Sequence, residues 1–478
     1  MSHCEVKILQ VFNITPPPRS VSSKCSTLPL TFFDLPYLIR PPAEILFFYT
    51  LQSIDYHYFI GTIVPKIKHS LSLTLQHWYP LSGTLSWPPQ SNKPIITYNN
   101  GDSTRLTVAE SNANFDHLSS NNYARHVDDL HPLVPQLIST KSKKQVPLLA
   151  SQVTLFPHKG VCVGIVCNHA TMDGRAVSLF LNSWSSVCRL GNEAPSFSLL
   201  PSFDRETVKD PNGLEKLYLE GLIRLIRSKA MSENDCNNWL LVSKSHEVSE
   251  KAVMATFDLS KADIERLKRR TLACKSAKPI KLSRFVLACA FTWICLTKTS
   301  YQHEQVVMSS SSSSTHDEQT SIVFLVDCRG RTDPPIPPTY IGNCCVPIKV
   351  SAKVFDIVSE NGIVVAVDCI VKAMRGLSVA VANDPELRLS RTLNTGPNRT
   401  CSIAGSPQFG FNKVDFGFGR PKKFEFVSMA RTGSILFSDS NNEGVEMEIG
   451  LVRSKQEMDS FAHQYFKGLH DLVCKSSL

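Results

Sequence analysis

The stretch PLLASQVTLFPHKGVCVGIVCNHATMDGRAVSLFLNSWSSVC, residues 147–188, decides how the chain folds. It opens with two apolar runs, PLLASQVTLF and GVCVGIVC, joined by PHKG. Short apolar runs rich in Val, Leu and Ile and bounded by Pro and Gly read as paired strands. The period then changes. Val177, Phe180, Leu181, Trp184, Val187 and Cys188 recur at helical spacing, which predicts a helix over 176–188. Strands followed by a helix indicate an α/β protein. Between the two lie His169, Asp173 and Gly174.

NHATMDG supports two readings. In one, His169 ends a buried strand and is satisfied by backbone. Asp173 then caps the helix, where a carboxylate accepts free N–H groups and meets the positive end of the dipole, and Gly174 permits a tight start. In the other, a neutral imidazole at a strand end takes a proton from a hydroxyl. Only His169 of the 14 histidines has an Asp four residues on, a match that chance can supply. Spacing alone leaves both readings open. A cap also aims Asp173 at backbone N–H groups and an arginine rather than at the imidazole, so architecture suits it better than a triad. A metal site would need a third ligand at defined spacing, and no HExxH is present. A serine hydrolase would need a GxSxG elbow, which is also missing.

The 478 residues exceed one ordinary core, so two domains are expected. Apolar residues at 42% and charged residues at 19% fit a globular chain. No run reaches the roughly 18 apolar residues of a membrane span. MSHCEVKILQVFNITPPP lacks a basic region followed by an apolar one, so the expectation is a cytosolic protein without a membrane anchor. The 15 cysteines are scattered, form no CxxC pair and often sit inside apolar runs, which reads as reduced thiols. The net charge of +9 is spread along the chain rather than gathered in an arm, so nucleic acid is not indicated.

Two breaks organise the chain. A serine run from Ser309 reads as a solvated loop before the strand SIVFLVDC. EAPSFSLLPSFDRETVKDPNG, residues 193–213, reads as a crossover between halves of similar size, 1–192 and 214–478. In the second half LSRFVLACAFTWICL reads as a buried helix and GVEMEIGLV as a strand. The last helix aligns Met458, Phe461, Ala462, Tyr465, Leu469 and Val473 on one face.

Two further stretches bear on function: DCRGRTDPPIPPTYIGNCC, residues 327–345, and VDFGFGRPKK, residues 414–423. Alone, the first is an extended proline loop and the second a glycine-broken aromatic turn. With no glycine-rich loop or HRD, DFG does not indicate a kinase. Taken in order with HATMDG, they resemble the plant acyl-CoA-dependent acyltransferases of the BAHD family. HxxxDG corresponds to His169, Asp173 and Gly174, and DFGWG to Asp415, Phe416, Gly417, Phe418 and Gly419. YIGNCC resembles the YFGNC signature of the clade that acylates anthocyanins and other phenolic glycosides, through Tyr340, Gly342, Asn343 and Cys344. LPLTFFDLPYL, SLSLTLQHWYPLSGTL, LLPSFDR and AGSPQFGFNKVDFG also look like family segments. Phe418 stands where the family has Trp and Ile341 where the clade has Phe; both keep apolar bulk.

The resemblance implies an α/β fold of two similarly sized chloramphenicol-acetyltransferase-like domains, 1–192 and 214–478, with a channel between them. It implies an acyltransferase that moves an acyl group from CoA to a sugar hydroxyl of a phenolic, flavonoid or anthocyanin glucoside. His169 would be the general base, with no covalent intermediate and no tightly bound cofactor. Asp173 would pair with Arg329 and orient the loop, and Asp415–Gly419 would be architectural. Lys422 and Lys423 would meet CoA phosphates or form a solvated turn. Arg175 would hold a malonyl carboxylate or face solvent. Hydroxycinnamoyl-CoA is the alternative donor, and Ser402, Ser406 or backbone N–H groups are candidate oxyanion donors. A monomer is expected. The competing readings are a relative that only binds ligands and an enzyme that acylates an amine or another alcohol.

Overall fold

The computed structural model describes residues 5–18, 25–121, 124–138, 145–191, 200–229, 252–273, 282–307, 318–375 and 400–474. The chain forms two compact units. One holds Met1–Val248, Asp327–Cys345 and Phe409–Thr432; the other holds Ser249–Val326, Val346–Gln408 and Gly433–Leu478. These units do not follow the contiguous halves 1–192 and 214–478. The helix Leu214–Lys229 belongs to the first unit, and two later segments return to it. A strand explains one return: Lys423–Phe426 pairs antiparallel with Ala43–Thr50, from Lys423 opposite Phe48 to Phe426 opposite Ile45. A lone strand cannot satisfy its ladder hydrogen bonds, so it must join the sheet that offers an edge. Part of the expected crossover, 193–199, lies outside the described residues.

The first unit is built on a mixed sheet. Its strand order is Val6–Ile14, Thr104–Ser111, Leu149–Phe156, Gly160–Cys167, Ala43–Thr50 and Lys423–Phe426. Thr104–Ser111 and Leu149–Phe156 run parallel, and the other neighbours run antiparallel. PLLASQVTLF and GVCVGIVC form the expected hairpin, with Cys167 opposite Leu149. Every residue of both strands is buried. A strand covered on both faces carries a continuous apolar run rather than an alternating one, as here. The helix that follows spans Gly174–Leu190. It packs beside the helix Val64–His77, where the buried Trp184 Nε1 donates to Ser70 Oγ at 3.2 Å. A smaller antiparallel sheet orders Cys25–Pro29, Ile95–Asn99, Thr84–Ser86 and Val146–Pro147.

In the second unit the strand order includes Cys345–Lys353, Gln319–Asp327, Thr400–Ala404, Ile435–Ser438, Val445–Ser454 and Ala252–Ser260. The apolar helix Arg284–Val307 lies in its core, with Trp293 Nε1 donating to Thr320 Oγ1 at 3.0 Å. The final helix Lys455–Cys474 buries Met458, Phe461 and Tyr465, but Val473 is 44% exposed, so its apolar face fades before the end. The serine run lies outside the described residues. Among the described residues no helix is long and apolar enough to cross a membrane. The cysteines described from Cys162 to Cys401 are reduced thiols, and burial pushes Cys167, Cys295 and Cys401 up to about 12.

Candidate active site

Strand Gly160–Cys167 ends one residue before Asn168, which builds the turn that holds His169. Asn168 N donates to Leu148 O at 2.8 Å, its Oδ1 accepts Ala170 N at 3.0 Å, and its carbonyl accepts Thr171 N at 3.0 Å. The helix begins at Gly174 with Asp173 as its cap, and Asp173 Oδ1 accepts Ala176 N at 2.9 Å. The capping reading of NHATMDG therefore holds geometrically. Gly174 is needed for space: a Cβ there would lie 2.7 Å from the Phe409 ring.

The Asp173 carboxylate is fully occupied. Arg329 Nη1 donates to Oδ2 at 2.8 Å and Nη2 to Oδ1 at 3.1 Å. Cys344 N donates to Oδ2 at 3.0 Å, and Cys345 Sγ lies 3.5 Å from the same atom. The pairing of Asp173 with Arg329 expected from the resemblance is thus present. Both groups are buried, and Asp173 raises the Arg329 pKa against the opposing effect of burial. Arg329 also donates to the carbonyls of Tyr340 and Gly342 at 3.1 Å each and to Asp327 Oδ1 at 3.0 Å. One guanidinium fork thereby folds the loop 328–344 around the helix cap.

A second buried network lies beside the first. Asp34 Oδ2 accepts Thr31 N and Thr31 Oγ1, both at 2.9 Å. Asp34 Oδ1 accepts Asn343 N at 2.8 Å and Asn343 Nδ2 at 3.1 Å. Asn343 Nδ2 also donates to the His169 carbonyl at 2.9 Å. Arg205 Nη1 reaches the Tyr340 hydroxyl at 2.5 Å, the Ile341 carbonyl at 2.7 Å and Asp34 at 3.9 Å. Gly342 makes this possible, because a Cβ there would lie 2.2 Å from Arg205 Nη1. Ile341 keeps apolar bulk at 1% exposure.

His169 is half-buried, and its ring stacks on Tyr37 with centroids 4.6 Å apart and planes 21° apart. Its Nδ1 is buried with no hydrogen-bond partner. Burial lowers its pKa, opposed by its own backbone carbonyl, by Asp173 and by Asn343. The imidazole is therefore neutral near pH 7, the form a base requires. Burial also raises the pKa of Tyr37, Cys344 and Cys345, which keeps all three protonated.

Asp415 forms a turn of its own. Its Oδ1 accepts Gly417 N at 2.7 Å, Phe418 N at 3.0 Å and Gly419 N at 2.9 Å. Gly417 and Gly419 have φ of +92° and +84°, which favours glycine. Phe416 is fully buried against Trp184, with centroids 4.9 Å apart, and Phe418 meets Tyr49 edge-on at 5.5 Å. This stretch packs the sheet and helix of the first unit.

The basic candidates diverge. Lys423 does not fit a phosphate contact: it is 6% exposed in the strand, and its ammonium lies 3.6 Å from Glu425, which also pairs with buried Arg125. Strand pairing turns it inward, where a cation needs a fixed carboxylate. Lys422 is partly exposed and donates to Asp116 at 3.0 Å. Arg175 is 42% exposed, with Nη1 3.4 Å from Asp327 and Nε 3.3 Å from the Pro338 carbonyl. Ser402 and Ser406 lie in the second unit, and Ser406 Oγ accepts Gln408 N at 3.2 Å. Asp34, Tyr37, Arg205 and Asp327 were not singled out from sequence. The available signal was one acid inside the apolar run LPLTFFDLPYL.

Comparisons with known proteins agree with this site. The Transferase family profile matches residues 5–467. Phenolic glucoside malonyltransferase 2 of Arabidopsis thaliana is 34% identical, covering 97% of this chain and 99% of that protein. Coumaroyl-CoA:anthocyanidin 3-O-glucoside-6''-O-coumaroyltransferase 1 of the same plant is 35% identical, covering 95% and 96%. Malonyl-coenzyme A:anthocyanin 3-O-glucoside-6''-O-malonyltransferase of Dahlia pinnata is 31% identical, covering 98% of each. Among solved structures, vinorine synthase shares the fold with a TM-score of 0.68 at 19% identity, covering 95% of this chain and 96% of its own. The F. sporotrichioides TRI101 structure with coenzyme A and T-2 gives 0.64 at 17%, covering 91% and 97%. The chain belongs to the Transferase family, the BAHD acyltransferases, and is an acyltransferase with the two-domain α/β architecture of the chloramphenicol-acetyltransferase type.

Proposed function

We propose that this acyltransferase moves an acyl group from CoA to a sugar hydroxyl of a phenolic, flavonoid or anthocyanin glucoside, with His169 as general base. The observation that carries the reading is a half-buried imidazole just past the end of a buried strand, stacked on Tyr37 beside an Asp173 carboxylate already engaged elsewhere. The malonyl- and coumaroyltransferase relatives act on glucosides by name, which gives the substrate class.

His169 removes the proton of the acceptor hydroxyl as that oxygen attacks the thioester carbonyl. The tetrahedral adduct collapses, the carbon–sulfur bond breaks, and the imidazolium returns the proton to the leaving CoA sulfur. A sugar hydroxyl is too weak an acid to ionise unaided, and such base catalysis supplies about 10²- to 10⁴-fold. The raised pKa values of Cys344 and Cys345 weigh against a thiolate nucleophile and favour direct transfer.

The favoured donor is malonyl-CoA. The Arg175 guanidinium retains exposed N–H groups for a terminal carboxylate. Hydroxycinnamoyl-CoA is the second reading, supported by a coumaroyltransferase relative at 35% identity beside the malonyltransferase at 34%. The protein works as a cytosolic monomer without a tightly bound cofactor. Purified enzyme offered malonyl-, acetyl- and coumaroyl-CoA against a panel of phenolic glucosides tests this, with His169→Ala as control. Full activity in that variant, or no thioester consumed with any acceptor, overturns the proposal.

A further inference from the structure

Acyl transfer develops a charge that the imidazole does not meet. As the acceptor oxygen bonds the thioester carbon, the carbonyl pair moves onto its own oxygen, and that oxyanion calls for preorganised donors. Ser402 and Ser406 belong to the second unit. In the unit that holds His169, two donors without partners lie on residues 37 and 40.

Leu35–Ile39 forms a 3₁₀ helix with Arg40 as its C-cap. At three residues per turn, side chains three apart fall on one line. Leu35 and Leu38 take the inner line, each 2% exposed. Tyr37 and Arg40 take another and are half-buried. Pro41 disfavours helix at the residue before it. Arg40 is accordingly extended, at φ −93° and ψ 148°, while its N–H still donates to the Tyr37 carbonyl at 3.1 Å. Tyr37 in turn stacks on His169. Burial is the largest influence on the pKa of both rings, and the Arg40 charge acts on each of them as well.

Among the described residues the Arg40 guanidinium makes no hydrogen bond or ion pair, and the Tyr37 hydroxyl makes no hydrogen bond. The nearby acids are occupied: Asp34 by Thr31 and Asn343, Asp173 by Arg329, Ala176 and Cys344. Arginines elsewhere in this unit meet carboxylates, as Arg125 meets Glu425 and Arg431 meets Glu44. A half-buried cation without a carboxylate, beside a phenol that burial keeps protonated, is a set of donors lacking an anion.

We propose that the Tyr37 hydroxyl and the Arg40 guanidinium donate to the oxyanion of the tetrahedral adduct. The inference rests on the acyl transfer proposed above, with His169 as its base. In the reacting complex the acceptor oxygen is about 3 Å from the base, and the thioester carbon is one bond beyond. The phenol, with its ring centroid 4.6 Å from that of the imidazole, stands beside this place. Attack forms the carbon–oxygen bond and leaves the negative charge on the carbonyl oxygen. Collapse restores the double bond, breaks the carbon–sulfur bond and sends the imidazolium proton to the CoA sulfur. Tyr37 and Arg40 donate hydrogen bonds throughout and give up no proton.

The thioester carbonyl is common to every donor, whereas a terminal carboxylate is not. Acetyl-, malonyl- and coumaroyl-CoA, as far as wild type turns them over, are therefore compared in Arg40→Gln and in Tyr37→Phe, which deletes the hydroxyl and keeps the stack. In each variant kcat should fall about 10²- to 10³-fold, by similar factors for every donor, with KM within about twofold. Arg40→Lys, which keeps the charge, should recover part of the loss. A loss confined to malonyl-CoA makes Arg40 a carboxylate ligand, and a raised KM at unchanged kcat makes it a contact to another part of a substrate. Either result overturns the inference, as does an unchanged kcat in either variant. Should Arg40→Gln fail to fold, Arg40→Lys and Tyr37→Phe carry the test. Activity retained by His169→Ala sinks the base assignment, while a uniform kcat loss in Tyr37→Phe would still identify the oxyanion donor.

Discussion

Asp173 and Arg329 lie 156 residues apart in sequence and meet through a two-pronged fork, at 2.8 and 3.1 Å, with side chains 4% and 3% exposed. Removing one partner strands the other charge in a dry site, which costs about 3–5 kcal/mol. Asp173→Ala and Arg329→Ala should each lose stability on that scale, and the double variant should lose less than their sum. Urea-unfolding midpoints measure this. Additive losses would mean that the two groups are not coupled.

Burial holds the His169 pKa below the ordinary value of about 6.5. As the proposed base, His169 works neutral, so activity should fall as pH drops through the depressed folded pKa, and the acid limb of kcat/KM should lie below about 6.5. The same depression ties stability to pH. The unfolded chain binds the proton first, so this contribution is complete above the unfolded pKa and is lost as pH falls toward the folded one. His131 is depressed too, by burial and then Arg431. The limb should therefore be measured in wild type and in His131→Gln. A limb that disappears in the variant belongs to His131.

Gly174→Ala sets two effects against each other. Alanine in a helix is worth up to about 1 kcal/mol over glycine. The added Cβ would lie 2.7 Å from the Phe409 ring, and overpacking of that kind costs about 1–3 kcal/mol. The clash should win and lower the unfolding midpoint, and Phe409→Leu on the same background should recover part of the loss. A stabilised Gly174→Ala would show that Phe409 yields freely.

The periodic elements were legible because their patterns are local. The hairpin 149–167 and the helix from Gly174 follow from runs and spacings that any window contains. The cap at Asp173 was legible for the same reason. Its partner Arg329 was legible only through resemblance, because nothing local marks a contact across 156 residues. Asp34 and Arg205 went unread for that reason as well. Their roles come from where the chain returns, and a single acid in an apolar run does not name its partners. Lys423 misled because a basic dipeptide in a glycine-rich turn looks solvated. Only the pairing of its strand with Ala43–Thr50 turns it toward Glu425. That pairing also makes the compact units discontinuous.

Asp415 is expected to act on stability and not on turnover. Its Oδ1 holds three backbone N–H groups, and hydrogen bonds to a charged group contribute at most about 1.5–3 kcal/mol each, net of the exchange with water. Asp415→Ala should lower the unfolding midpoint clearly while kcat of the folded fraction stays within about threefold. A large kcat loss at unchanged midpoint would place this turn in the chemistry instead.

Arg175 provides the test of donor choice. Its guanidinium is anchored through Nε to the Pro338 carbonyl and through Nη1 to Asp327, which is itself held by Arg329. The anchor fixes the direction of the group while leaving it 42% exposed. A malonyl carboxylate meeting it would gain a charge-assisted contact that acetyl and coumaroyl groups cannot make. At partial exposure such a contact is worth about 1–2 kcal/mol, or roughly 5- to 30-fold. Arg175→Gln should therefore lower kcat/KM for malonyl-CoA by about that factor and leave acetyl-CoA within about twofold. Competition between the two donors in one reaction reads the ratio free of errors in enzyme concentration. Equal losses on both donors would mean that Arg175 supports the loop at Pro338 rather than the acyl group, and the coumaroyl reading would then gain.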